Sequence, residues 1–272
     1  MKPAPFDYIR ARTIPEAADL LAASSGNARL LAGGQSLGPM LNLRLARPQR
    51  LIDIKRAAGL RDLTVDGETI SIGAGITHAE IEDGAIDHPL LRHVAAGIAY
   101  RAVRNRGTIG GSLAHADPAA DWIAVMPALD ARIILHNAGG TRAISAGSFV
   151  RGAFSTQLAA AEILAAIELP RLSSDARWGY VKICRKTGEF AKAIGVAVLD
   201  STRRFASVVA GAVEGPPIVL PGTAQQLLNT NALAASEMVP PELDSLLPHF
   251  TPAERALRAA AVRRALDQLA HA

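Results

Sequence analysis

Two glycine-rich stretches hold the residue types and spacings that suit chemistry in this 272-residue chain. The first is LLAGGQSLG, Leu30 to Gly38. A predicted strand, ARLLA, runs into Gly33-Gly34, and a helix is expected to open near Ser36–Gly38. Glycine tolerates positive φ and lets a ligand approach the main chain. Free N–H groups at a helix start favour an anion, and Ser36 adds a hydroxyl donor. A pyrophosphate suits this arrangement. A plain strand–helix turn also explains it, because short glycine motifs recur by chance. The second stretch is RGTIGGSLAHADPAAD, Arg106 to Asp121. Gly107, Gly110 and Gly111 again permit close approach, with Thr108 and Ser112 offering hydroxyls beside them. Asp121 lies where a carboxylate would accept a hydrogen bond from a sugar hydroxyl. It also reads as an acid at a helix N-terminus, stabilised by the dipole.

Other motifs carry less. SIGAGITHAE places G-A-G after a strand, but His78 stands where a dinucleotide fingerprint needs its third glycine, and no well-placed acid follows. We read it as a hairpin strand leading into a helix. Histidines 78, 88, 93, 115, 136, 249 and 271 show no metal-site spacing. His115, inside the second glycine stretch, is either a residue of the ligand site or a solvated loop histidine. No G-x-S-x-G elbow supports acyl transfer. Cys184 is the single cysteine. It excludes an internal disulfide, and a cysteine-ligated cluster or structural zinc built from this chain alone.

The elements that must position these residues alternate in kind. Thr13 and Glu16 form a T-x-x-E capping box with Pro15 in the first turn, and a short helix follows. ARLLA and LIDI read as strands around a second helix carrying MLNLRLA, which makes an α/β unit. LTVDGETISIGAG alternates around Asp66-Gly67 as a hairpin. Helices are expected over His78–Ile86 and Leu90–Tyr100. ARIILH-NAGG-TRAIS is a second hairpin, and EILAAIELP a strand ending at Pro170. After the polar run Arg171–Arg177 come strands WGYVKIC, AKAIGVAVL and RFASVVAGAV, then helices. The last helix is capped by Thr251, Pro252 and Glu254, with Leu257, Ala261, Leu266 and Leu269 on its apolar face.

Composition sets the outer bounds. Apolar residues make up 49% and aromatics 4%, so the core is built from Ala, Leu, Ile and Val. The net charge of +4 is modest and the arginines are scattered, apart from Arg101–Arg106. A nucleic-acid partner is not expected from that pattern. No apolar run is long enough for a membrane span, and the N-terminus lacks the apolar core of a signal peptide. A cytoplasmic location is expected.

AGGQSL followed by a basic helix and LIDI, then VRNRGTIGGSLAHADPAAD, resembles the medium, FAD-binding subunit of molybdenum hydroxylases of the xanthine dehydrogenase/carbon monoxide dehydrogenase type. The resemblance extends through RKTGEFAKAIGVAV and AAAVRRALDQL, so it covers nearly the whole chain. It implies an α+β architecture: a two-subdomain FAD-binding fold of the PCMH/vanillyl-alcohol-oxidase-like kind, then a small C-terminal α+β domain with a three-stranded sheet. The boundaries expected are 1–170 for the FAD-binding domain (1–58 and 59–170, with the cofactor between these subdomains) and 176–272 for the C-terminal domain.

Carried over by position, the resemblance places Leu30, Leu31, Ala32, Gly33, Gly34, Gln35, Ser36 and Leu37 around the pyrophosphate. Thr108, Ile109, Gly110, Gly111 and Ser112 bind the same region from the other side. Asp121 takes a cofactor hydroxyl, Ile98 and Leu164 give main-chain contacts, and Tyr180 or Lys182 reaches the flavin ring. Many members have His where this chain has Gln35. Gln cannot form the covalent flavin link known in distant relatives, so the FAD is expected to be non-covalent. Ser112 replaces a common asparagine and keeps a donor. The family also implies an electron-transfer role with no catalytic residue in this chain. A small [2Fe-2S] subunit and a large molybdopterin-binding subunit would hold the clusters and the molybdenum cofactor, in a dimer of heterotrimers. The rival readings are a self-contained FAD-dependent oxidase or reductase, and a non-enzymatic α/β module whose glycine loops are only turns.

Overall fold

Short apolar runs separated by helices pair in parallel, because a crossover helix returns the chain to the same end of the sheet. The first five elements follow that rule: β1 (Asp7–Arg10), α1 (Ile14–Ala23), β2 (Ala28–Leu31), α2 (Leu37–Asn42) and β3 (Arg50–Asp53). Central β3 pairs in parallel with both β1 and β2. Thr13 caps α1 as expected, accepting from Glu16 N at 3.2 Å. Helix α2 is shorter than its sequence pattern suggested. Arg44 takes φ +58° and ends the turn, leaving Leu43 and Leu45 exposed.

The computed structural model describes residues 2–270. They form two compact units, neither of them continuous in the chain. The first comprises the chain up to His115, Arg132–Ser145 and Thr156–Glu168. The second comprises Ala116–Ala131, Ala146–Ser155 and the chain from Leu169 onward.

In the first unit, a five-stranded sheet follows the N-terminal layer. It contains β4 (Leu63–Asp66), β5 (Thr69–Gly73), β6 (Arg132–Asn137), β7 (Gly140–Ser145) and the first six residues of β10 (Ile163–Pro170), in the order β4-β5-β10-β6-β7. Both expected hairpins form in antiparallel register. Helices α3 (His78–Glu82), α4 (Pro89–Ala96), α5 (Arg101–Arg104) and α6 (Ile109–His115) follow β5 within the same unit. The first two stop earlier than expected. Gly84 at φ +91° ends the run after α3, and Ala99 at φ +43° turns the chain after α4. Helix α6 occupies a stretch read as glycine loop. Thr108 starts it, its Oγ1 accepting from Gly111 N at 3.0 Å, and Ile109 and Leu113 bury one face.

The second unit is built on β11 (Arg177–Ile183), β12 (Ala193–Asp200), β13 (Phe205–Gly211) and β14 (Ile218–Val219), antiparallel in that order. The expected three strands are present, and the two-residue β14 extends the edge. Helices α9 (Pro221–Asn229), α10 (Ala232–Leu246) and α11 (Pro252–Ala270) share one apolar core with the sheet. Helix α7 (Asp121–Ala128) also packs on β12 and β13. Every residue of β12 is buried, as expected of a strand covered on both faces. Close approach of α11 requires Gly179 and Gly195. A Cβ on either would fall within 2.3 Å of the carbonyl oxygen of Ala265 or Ala261. The predicted cap of α11 forms, with Thr251 N donating to Glu254 at 2.8 Å. The unit also holds α8 (Ala146–Phe149) and β8 (Val150–Gly152), which pairs with the short β9 (Ser155–Thr156). Among the described residues no helix is long and apolar enough to cross a membrane.

Candidate functional site

The first glycine stretch leaves β2 and turns through Gly33–Ser36 before α2. Among the described residues, the N–H groups of Gly33, Gly34, Gln35 and Ser36 donate to no protein acceptor. Consecutive main-chain donors left open in this way form an anion-binding concavity. Gly34 sits at φ +72°. The Gln35 side chain folds back, donating to Gly33 O at 3.3 Å. Ser36 makes no side-chain cap to α2, so its hydroxyl is also available. Helix α2 has only six residues, so loop donors rather than a long helix dipole carry the site.

The second stretch braces the first. A Cβ at Gly33 would lie 2.1 Å from Arg106 O and 2.8 Å from Gly107 Cα, so the two main chains touch there. A Cβ at Gly110 would lie 2.4 Å from Ala74 Cβ. Gly33 and Gly110 both pack on neighbouring protein atoms, so the close approach they allow is to other parts of the chain. The N–H groups of Ile109, Gly110, Gly111 and Ser112 are all used, by Ile76 O, Ala74 O, Thr108 Oγ1 and Thr108 O. What this stretch can still offer is the hydroxyls of buried Thr108 and half-buried Ser112.

A cavity of about 340 Å³ adjoins the first loop. Gly33, Gly34, Gln35 and Gly38 line one side, with Tyr8, Lys55 and Arg106 among the others. Lys55 and Tyr8 are held by Asp53, which is 1% exposed: Lys55 Nζ lies 3.3 Å from its carboxylate, and Tyr8 donates a short hydrogen bond to it. Sequence reasoning passed over this trio. The signal was an acid inside the apolar run LIDI with a lysine two positions on.

Ile98 is half-buried in the turn between α4 and α5, and Leu164 is buried on β10 at a bulge between Leu164 and Ala166. The second unit holds the other predicted residues. Asp121 is the first residue of α7 and is buried, so its position at a helix start is as read. Tyr180 and Lys182, two apart on β11, share one face of the strand. Tyr180 Oη donates to Asp121 Oδ1 at 2.5 Å, and Lys182 Nζ lies 2.9 Å from the same oxygen and 3.1 Å from Oδ2. The sequence left open which of the two side chains acts; both converge on Asp121. Burial, and then the Asp121 carboxylate, push the Tyr180 phenol well above its ordinary value, so it stays a neutral donor. A carboxylate offers about four acceptor positions, which leaves Asp121 room for a further hydroxyl.

Comparison with known proteins places this geometry. Residues 4–172 match the family model described as the FAD binding domain in molybdopterin dehydrogenase. The carbon monoxide dehydrogenase medium chain of Hydrogenophaga pseudoflava is 40% identical over 202 residues, 73% of this chain and 70% of that one. The 6-hydroxypseudooxynicotine dehydrogenase complex subunit alpha of Paenarthrobacter nicotinovorans is 38% identical over 205 residues, 74% and 69% of the two chains. Among solved structures, carbon monoxide dehydrogenase from H. pseudoflava superposes with a TM-score of 0.91 at 32% identity, covering 100% of this chain and 99% of that one. Quinoline 2-oxidoreductase from Pseudomonas putida 86 gives 0.90 at 30% identity, covering 100% and 99%. The open donors of Gly33–Ser36 and the hydroxyls beside them suit the diphosphate of the cofactor that the family model names. The chain belongs to the family of FAD-binding domains of molybdopterin dehydrogenases, and is the FAD-binding medium subunit of a molybdenum hydroxylase, a flavoprotein subunit of an oxidoreductase.

Proposed function

We propose that this chain holds FAD non-covalently and relays electrons from a small [2Fe-2S] partner subunit to an external acceptor. Substrate oxidation would take place on a large molybdopterin-binding subunit. The observation that carries the reading is the run of open N–H donors from Gly33 to Ser36, braced by Arg106–Gly107 within the family-matched range. In this proposal residues 30–37, with the Thr108 and Ser112 hydroxyls, hold the diphosphate. Ile109, Gly110 and Gly111 keep the brace in shape, and Ile98 and Leu164 supply main-chain contacts. Asp121 accepts a cofactor hydroxyl, with Tyr180 and Lys182 fixing the carboxylate. FAD, when bound, supplies the exchange between one-electron and two-electron carriers. The chain's own part is to orient the cofactor and set the charge around it, and no side chain is required to move a proton. The matched range supports dividing the chain into an FAD-binding part, 1–170, and a C-terminal part, 176–272. A cytoplasmic dimer of heterotrimers completes the proposal.

Native purification tests it. The chain should come with two further subunits, molybdenum and iron, and one FAD per chain. Acid precipitation should release all the yellow colour, because Gln35 offers no nucleophile for a covalent link. A colourless preparation, or one lacking partners, would overturn the relay.

A further inference from the structure

We infer that Arg104 is a positioning residue for the cofactor: its guanidinium ties the Ile98–Ala99 main chain to Glu82 and steadies the segment that braces Gly33. This rests on the cofactor reading above and deepens it. The Arg104 side chain is 12% exposed. Its Nε and Nη2 form a fork on Glu82, at 2.7 and 3.0 Å. Its Nη1 donates to Ile98 O at 2.9 Å and to Ala99 O at 3.2 Å. A bidentate arginine–carboxylate pair fixes direction as well as distance, so the free corner of the fork is aimed at those two carbonyls. Ala99 is held at φ +43°, a conformation that costs free energy in a non-glycine residue and persists only where surroundings enforce it. The arginine holds Glu82 below the usual carboxylate range, so the pair stays charged at neutral pH.

The C-terminal end of α5, where Arg104 sits, leads straight into the brace. Gly107 N donates to Val103 O at 2.8 Å, directly beside Arg104 in sequence. Arg106 O is the atom that meets Gly33. One short helix therefore joins the strained turn at Ala99 to the contact that holds the donor loop. Its neighbour Arg101 provides the comparison. Arg101 pairs with Glu82, Asp83 and Asn105, but its side chain is 47% exposed and bonds neither carbonyl. Arg101 therefore has the more numerous charged contacts, yet it is the more exposed of the two and has no hold on that main chain.

The test is titration of FAD into the cofactor-free full-length chain, following flavin fluorescence and the visible spectrum, for wild type, Arg104→Ala, Arg104→Lys and Arg101→Ala. Arg104→Ala should weaken FAD binding about tenfold or more, the size seen when an outer-shell partner of a bound group is lost. Arg104→Lys keeps the charge but not the fork and should fall between Arg104→Ala and wild type. Arg101→Ala should bind like wild type. The flavin spectrum of Arg104→Ala should shift, which loss of stability alone would not produce. Should Arg104→Ala fail to fold, Arg104→Lys and Glu82→Gln carry the same comparison. Equal losses in the Arg101 and Arg104 variants, or none in either, would overturn the inference while leaving FAD binding intact. A wild-type chain that takes up no FAD would overturn the cofactor reading and this inference with it.

Discussion

Gly33 and Gly34 are neighbours with different reasons to be glycine. At Gly33 an added methyl meets the Arg106 carbonyl at 2.1 Å, and backbone on both sides cannot yield cheaply. At Gly34 an added methyl would meet, among the described residues, only Leu31 Cδ1 at 3.1 Å, and the obstacle is φ +72°. We expect Gly33→Ala to destabilise the cofactor-free fold by about 3 kcal/mol, the upper part of the range for overpacking. Gly34→Ala should cost about 1 kcal/mol for the left-handed backbone and should act mainly on FAD affinity, since relaxing that backbone would re-aim its N–H, one of the open donors. Urea unfolding of both variants with and without FAD separates the two effects; equal behaviour would show that both glycines are only packing residues. The motif itself was legible from sequence. That Gly33 packs on main chain was not, because its partner Arg106 lies 73 positions away. Asp121 poses a similar case. Its convergence with Tyr180 and Lys182 depends on a pairing 59 positions apart. Tyr180→Phe would remove one donor from a buried carboxylate, and we expect a loss of about 1–3 kcal/mol in thermal or urea unfolding. No change in stability would mean that the Tyr180–Asp121 bond contributes nothing to the fold.

At the scale of elements, local chemistry was the legible part. The T-x-x-E box at Thr251 forms, and at Thr13 the threonine half forms while the Glu16 carboxylate accepts from Arg12 N. A third, Thr77–Glu80, caps α3 completely and stood in the sequence as T-H-A-E without being read as such. Helix ends were harder, because apolar spacing continued past the left-handed residues that stop the chain at Ala99 and Arg44. Helix α6 was hidden by its glycines, whose low helix propensity is outweighed by the Thr108 cap and the burial of Ile109 and Leu113. Two helix starts also hold buried histidines. Burial lowers His78 and His88 from 6.5 to about 4, and Arg104 adds to the effect at His78. The unfolded chain therefore takes up protons between pH 6.5 and about 4 that the folded chain refuses. Stability should be full above pH 6.5 and fall as pH drops through that window. His88 caps α4, its Nδ1 accepting from Leu91 N at 3.5 Å. Asn can take over that role. In His88→Asn the slope of unfolding free energy against pH should be smaller by about 1.4 kcal/mol per pH unit, one proton's worth. An unchanged slope would show that His88 is protonated within the folded chain.

For the whole molecule, sequence order and spatial grouping part company. Helix α7 lies in the stretch read as the middle subdomain, yet it packs on β12 and β13 of the second unit. One sign of this was available: WIAVM has no polar side, and a helix apolar all round is a buried one. Its destination was not available, since nothing local specifies a sheet that begins 56 residues later, at Arg177. What this chain contains also limits what it can do alone. Cys184 is its only cysteine, so it cannot ligate the four-cysteine cluster that would deliver electrons. Tyr180 and Lys182 are both engaged with the Asp121 carboxylate. If the relay is correct, the isolated FAD-loaded chain should be reduced only slowly by aldehydes, N-heterocycles or purines under anaerobic conditions. Adding the iron–sulfur and molybdenum subunits should make bleaching by the proper substrate fast, through docking that for a standard interface buries about 800 Å² on each partner. The rate with partners should also saturate with their concentration, as binding requires. Rapid bleaching of the isolated chain by any one of these compounds would remove the relay and establish a self-contained oxidase or reductase in its place.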